Sequence, residues 1–201
     1  MIPFTSLIGL LEHAVILSAI TLSFTKILTF KFRLFIFIIA FIIAWIPVDG
    51  LFTAGYLRGA MGDLSVSTMF LIIIYILRSL FGLKLSAFEN AELPACIVFF
   101  TGIFFYPMAL GLFMVDPYGM AYNPRVLSIF LFAIALLAWY FKNHLTVACI
   151  CAAVTAYIFR ILESDNLWDY ILDPVIFIIA VVYLFFKLIK GKKEKNEHSI
   201  Q

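Results

Sequence analysis

Three arginines, Arg58, Arg125 and Arg160, interrupt or flank the short polar breaks of a chain that is otherwise almost continuously apolar. A guanidinium presents a planar fork of donors that takes a phosphate or carboxylate bidentately. Arginines gathered on one rim therefore predict an anion clamp. The competing partners lie in the same chain, because Asp49, Asp63, Asp116 and Glu163 occur in those breaks and can neutralise them as a structural network. Glu12, His13, Asp49 and Asp63 are the candidates for proton transfer or catalysis, since a buried carboxylate or imidazole titrates near neutral pH. Glu12 and His13 fall inside an apolar stretch, where an ionisable group must be protonated, paired or turned toward water. On a helix Ser6, Gly9 and His13 share one face with Glu12 beside Gly9, which predicts that this face turns inward.

A second group is acidic. Over residues 164–173, Asp165, Asp169 and Asp173 recur every fourth residue, opposite Leu167, Trp168, Tyr170, Ile171 and Leu172. At about 100° per residue that spacing predicts a short interfacial helix with its apolar side down. Its aspartate stripe is either a solvated face or a site for a divalent cation or cationic partner. Arg160 and Glu163, three apart, are expected to pair on one helix face. Tyr56, Tyr106, Tyr118 and Tyr122 lie near the same breaks, as an interfacial tyrosine belt would. The segment 49–63 holds four glycines and Arg58 and is too apolar for a simple solvated loop, so it reads as a re-entrant turn or a close backbone approach to a ligand.

Other chemistries lack their signatures. The sequence contains no H-E-x-x-H, G-x-S-x-G or G-x-x-x-x-G-K. With His13, His144 and His198 as its histidines it offers no multi-histidine metal site, and no metal or cofactor is expected. Cys96, Cys149 and Cys151 all lie in apolar stretches, so no structural disulfide is expected.

The elements that must position these residues are set by composition. At 65% hydrophobic and 13% charged, the chain departs from soluble domains, where about a quarter of residues carry charge. The sequence predicts an all-α polytopic membrane protein of about seven transmembrane helices, at residues 2–25, 32–48, 64–83, 94–115, 124–141, 145–162 and 174–188. The N-terminal stretch lacks a basic region and is broken by Glu12 and His13, so it reads as a retained span and not as a signal peptide. Residues 1–190 form the bundle, and 191–201 a basic, disordered cytoplasmic tail.

Sidedness follows from charge. Lys26, Lys31, Lys84, Lys142 and the tail lysines fall in alternate breaks, together with Arg33 and Arg78, whereas Arg58, Arg125 and Arg160 fall in the others. Short Lys-bearing loops stay cytoplasmic, which places the N-terminus outside, the C-terminus inside, and the interfacial helix on the non-cytoplasmic side of a bacterial plasma membrane. The positive residues are dispersed over loop ends, so nucleic acid is not an expected partner; membrane lipids are, and so is another membrane protein.

Local signals sharpen the boundaries. Asp63 is expected to cap the third segment and Asn123 the fifth, while Lys142-Asn143-His144 is short enough to force an antiparallel hairpin. Ala148, Ala152 and Ala156 predict close packing of the sixth segment.

Three functions fit this pattern. The first is binding of an anionic lipid or polyprenyl-linked headgroup in envelope metabolism, by Arg58, Arg125 and Arg160. The second is an accessory subunit or scaffold of a larger membrane complex, and the third a small proton-coupled transporter working through Glu12 and His13. Whether the chain is an enzyme is left open by these residues.

Overall fold

A computed structural model describes residues 4–198, with side chains described through residue 190. In chain order the elements are α1 (Phe4–Phe24), α2 (Phe30–Ile43), β1 (Pro47–Val48), β2 (Leu51–Phe52), α3 (Thr53–Met61), α4 (Val66–Phe81), a 3-10 turn (Ser86–Phe88), α5 (Glu92–Ala109), α6 (Pro117–Met120), α7 (Arg125–Tyr140), α8 (His144–Ile158), α9 (Leu167–Ile171) and α10 (Pro174–His198). The two strands pair antiparallel across Asp49 and Gly50, whose φ values of 48° and 86° make the mirror-image turn that Asp-Gly favours. This hairpin and α3 replace the expected re-entrant turn.

The expectation of seven spans is overturned. Among the described residues two helices are long and apolar enough to cross a membrane, Phe4–Phe24 and the combined Ser86–Ala109, and the first has the position and composition of a signal sequence as well. The reason is that apolar runs outlast the helices within them. Segment 32–48 yields the 14-residue α2 before the hairpin begins, and 64–83 yields the 16-residue α4, ended by Gly82 at φ 64°. Segment 94–115 stops being helical at Ala109, just after Pro107. At 1.5 Å per residue, helices of this kind reach roughly 21–24 Å against a hydrocarbon core of about 30 Å. The fold is all-α, with ten α-helices among the described residues. The last helix continues to His198, through most of the segment expected to be a disordered tail, and residues 199–201 lie outside the described residues.

Long-range hydrogen bonds give the molecule two poles. Ser6 bonds Glu163, and Ser65 bonds Asp173, which joins the starts of α1, α4 and α10 to the end of α8. At the opposite pole Arg33 bonds Ser79, Asn143 bonds Asn90, and Lys187 pairs with Glu92. Asn143, between α7 and α8, accepts from Thr146 N–H at 3.0 Å, so the expected hairpin has a capped second helix. The helices therefore alternate in direction, and lysines gather at one pole.

Packing follows from small and aromatic residues. Ala14, Ala44 and Ala54 bring α1, α2 and α3 into close contact. A second cluster joins Leu127, Leu131, Ala153, Ala156, Leu167 and Tyr170, with α8 against α4, α7 and α9. The buried face of α8 runs through Leu145, Thr146, Ala153 and Ala156, so Ala156 belongs to it while Ala148 and Ala152 are half-buried. Outward faces are apolar: α2 exposes Phe32, Phe35 and Ile42, α7 exposes Ile129, Phe130 and Phe132, and Leu112, Phe113 and Met114 project from the turn after α5.

Candidate functional site

The inward face of α1 builds one wall of the site. Ser6 donates to Glu163, and one turn on, Gly9 lies directly beneath the side chains of Arg58 and Asp63. A Cβ at Gly9 would stand 2.5 Å from Arg58 Nε and 2.6 Å from Asp63 Oδ1, so the absence of a side chain is what admits the pair. His13, a further turn along, is fully buried, with Nδ1 2.7 Å from the Gly9 carbonyl and Nε2 without a partner. That contact requires Nδ1 to donate. Glu12 is 5% exposed and its Oε2 likewise has no partner.

Arg58 is presented by α3 and held on two sides. Its Nε and Nη2 donate to the two Asp63 oxygens at 2.5 and 3.0 Å, and Nη2 lies 3.0 Å from Glu163 Oε1. The Asp63 hydrogen bonds push the guanidinium's affinity for its proton further up, and the Ser6 hydroxyl and then Arg58 hold the Glu163 carboxyl below its ordinary range. Asp63 is thus committed to Arg58, and the expected cap of α4 comes instead from Ser65, which accepts from Thr68 N–H.

The aspartates of the acidic segment do not form a stripe. The helix is shorter than expected, and its Leu167 and Tyr170 are fully buried in the α8 cluster. It is a core element, not a helix lying on a surface. Asp165 is exposed and 3.9 Å from the largely exposed Arg160. Asp169 accepts from Tyr118 and Ser164, and burial followed by the Asp169 bond raises the Tyr118 hydroxyl. Asp173 is buried and accepts from Ser65 N–H at 2.6 Å, Thr68 Oγ1 at 2.6 Å and Ile176 N–H at 2.8 Å. Three carboxylates with three different sets of donors leave no shared cation position. Among the described residues no group of metal-ligating side chains converges.

Two open cavities meet at this pole. One, of about 650 Å³, is lined by Arg58, Asp63, Leu10 and the glycines of the hairpin and α3. The other, of about 500 Å³, is lined by Asp63, Asp169, Asp173, Tyr106 and Tyr118 among others. Gly62 and Asp63 border both. Tyr106 directs a buried hydroxyl without a protein partner, as does no other tyrosine among the described residues.

Of the expected arginine clamp, Arg58 is the member that lines one of these two cavities. Arg160 adopts φ 50° just past the end of α8, which turns it away from Glu163 and toward Asp165. Arg125 is exposed at the start of α7, behind Pro124, which takes the cap position expected of Asn123. Asp49 is exposed at the hairpin tip. Sequence reasoning missed Ser6 and Gly9 as direct supports of the pair, and missed that Glu163 joins Arg58 instead of Arg160. The shared face of Ser6, Gly9 and His13 was the available signal. Comparison with protein-family models, curated proteins and solved structures finds no match to this chain.

Proposed function

We propose that this protein resides in a membrane of the cell envelope, the bacterial plasma membrane on the charge pattern, and binds the charged headgroup of an amphiphile at the Arg58 pole. The observation that carries the reading is the pair of open cavities sharing Gly62 and Asp63, one holding Arg58 and the other Asp169, Asp173 and two tyrosines. A purely anionic headgroup meets one guanidinium among several carboxylates. A headgroup with both a phosphate and an amine matches both halves, the phosphate toward Arg58 and the ammonium toward the acidic and aromatic wall. The apolar outer faces of α2 and α7 and the exposed Leu112, Phe113 and Met114 support residence in lipid.

Native mass spectrometry of the full chain, titrated with phosphatidylethanolamine, phosphatidylglycerol or diacylglycerol, tests the proposal. Preferential retention of phosphatidylethanolamine, weakened by Asp169→Asn and by Arg58→Gln, is expected. Equal retention of all three contradicts it. The pairing of Arg58 Nε and Nη2 with Asp63 and Glu163 within the chain favours a second reading, an accessory subunit of a membrane complex. A stoichiometric protein partner, with no lipid preference, is its signature.

A further inference from the structure

Between the two poles, α4, α5, α7, α8 and α10 line an apolar cavity of about 150 Å³. Leu71, Ala95, Leu131, Cys149, Ile176 and Ala180 are among its lining residues. Thr146 in the wall turns its hydroxyl to the protein, donating to Asn143 Oδ1 at 2.9 Å. A water needs two to four polar partners to occupy such a space, and apolar cavities of roughly this volume stay dry while accepting small apolar guests. Voids this large are uncommon in close-packed interiors, because their lining forfeits contacts on one side.

The shape narrows the guest. The lining runs from Ile176 to Tyr183 along α10, roughly 10 Å at 1.5 Å per residue, so the space is elongated along the helices. Ile179 and Tyr183 belong to the lining and are also exposed, which puts the mouth on the outer surface of α10. Beside them Ile178, Val182 and Phe186 are exposed as well, so the approach is through apolar surroundings.

We propose that this cavity holds the end of a single hydrocarbon chain, such as the acyl chain of a lipid, entering beside α10. The chain replaces the missing contacts along Leu71, Ala95, Leu131 and Ile176, and needs no polar partner. The site shares no lining residue with the two charged cavities and stands whether or not those bind a headgroup.

Photolabelling of the purified full chain with a long-chain fatty acid bearing a diazirine at its terminal carbon tests this. Insertion is expected in peptides containing Ala95, Cys149 and Ile176, and an excess of unlabelled fatty acid is expected to abolish it. Labelling of the exposed Phe130 and Phe132 surface on α7 should persist under the same competition. Ala95→Phe fills the space and should eliminate the cavity label alone; Ala180→Leu, a smaller change, serves the same purpose if the first variant loses cooperative unfolding. Label confined to the outer faces, or cavity label that survives both competition and filling, overturns the proposal.

Discussion

Replacing Gly9 with alanine adds one methyl group at the point where α1 supports the Arg58–Asp63 pair. The new Cβ would meet Arg58 Nε at 2.5 Å, Asp63 Oδ1 at 2.6 Å and Arg58 Cζ at 2.8 Å, so the side chains must move by about an ångström to reach ordinary contact. Arg58 is not free to do so, because Asp63 and Glu163 hold the guanidinium from two sides. Hydrogen bonds to charged groups contribute about 1.5–3 kcal/mol, and partial exposure of Arg58 lowers that range to about 2 kcal/mol for the displaced pair. Alanine's helix propensity returns about 1 kcal/mol. The net expectation is a loss of about 1 kcal/mol, roughly a fivefold fall in the folding equilibrium. Gly55→Ala is the matched control: the nearest atom to its Cβ would be Leu10 Cδ2 at 3.6 Å, so the propensity gain is unopposed and the variant should be about 1 kcal/mol more stable. Equilibrium unfolding of the full chain in mixed micelles reads both. In an Arg58→Ala background only the Asp63 oxygen still faces the new methyl, and it is no longer held by the guanidinium, so the cost of Gly9→Ala should shrink toward the effect of Gly55→Ala. Equal effects of the two glycine variants in the unmodified chain would refute the reasoning.

Asp173→Ala removes the acceptor for Ser65 N–H, Thr68 Oγ1 and Ile176 N–H in a buried setting; at about 1–3 kcal/mol for each stranded donor, a loss of about 3 kcal/mol or more is expected in the same unfolding assay. Glu163, whose folded carboxyl is held below its ordinary range, adds stability that is present above the unfolded value of about 4.3 and lost as pH falls through the lower folded value. A Glu163→Gln variant should therefore show a shallower decline of stability below about pH 4 than the parent; parallel acid limbs would count against the Ser6–Glu163–Arg58 arrangement. Tyr170→Phe deletes a buried hydroxyl that accepts from Leu162 N–H and donates to a nearby carbonyl, and should cost about 1 kcal/mol while leaving the far-ultraviolet dichroism unchanged. Gly102→Ala should part α5 from α10, since its Cβ would enter the ring of Phe177; a normal melting temperature would contradict that close approach.

How far the sequence foretold this molecule depends on the range of the interaction. Helical periodicity along α1 correctly turned Ser6, Gly9 and His13 to one inward face, because the helix repeat alone decides which residues share a side. Charge alternation separated the breaks holding Lys26, Lys84 and Lys142 from those holding Arg58 and Arg160, while the membrane sidedness read from it belongs to the proposal. Apolar run length was the misleading signal: Ile46 and Val48, or Leu112, Phe113 and Met114, read as span in composition yet lie in a turn or hairpin. Backbone conformation ended the helices, as at left-handed Gly111 after α5, Gly82 after α4 and Arg160 after α8, and hydropathy does not register it. The pairing of Glu163 with Arg58 was hidden for the same reason. Helical spacing pointed Glu163 at Arg160, but α8 had already stopped at Ile158. The aspartate stripe failed because Tyr170 and Leu167 drew α9 into the core, and each carboxylate then met different donors.

On the proposed residence in a plasma membrane, the Arg58 pole faces the outside and the lysine pole the cytoplasm. In a background lacking Cys96, Cys149 and Cys151, single cysteines replace the exposed Asp165 and the exposed Lys84, and intact cells are treated with a charged maleimide that does not cross lipid. Asp165→Cys is expected to be labelled at once and Lys84→Cys only after the cells are opened. Labelling of both positions in intact cells, or of neither until opening, would contradict it.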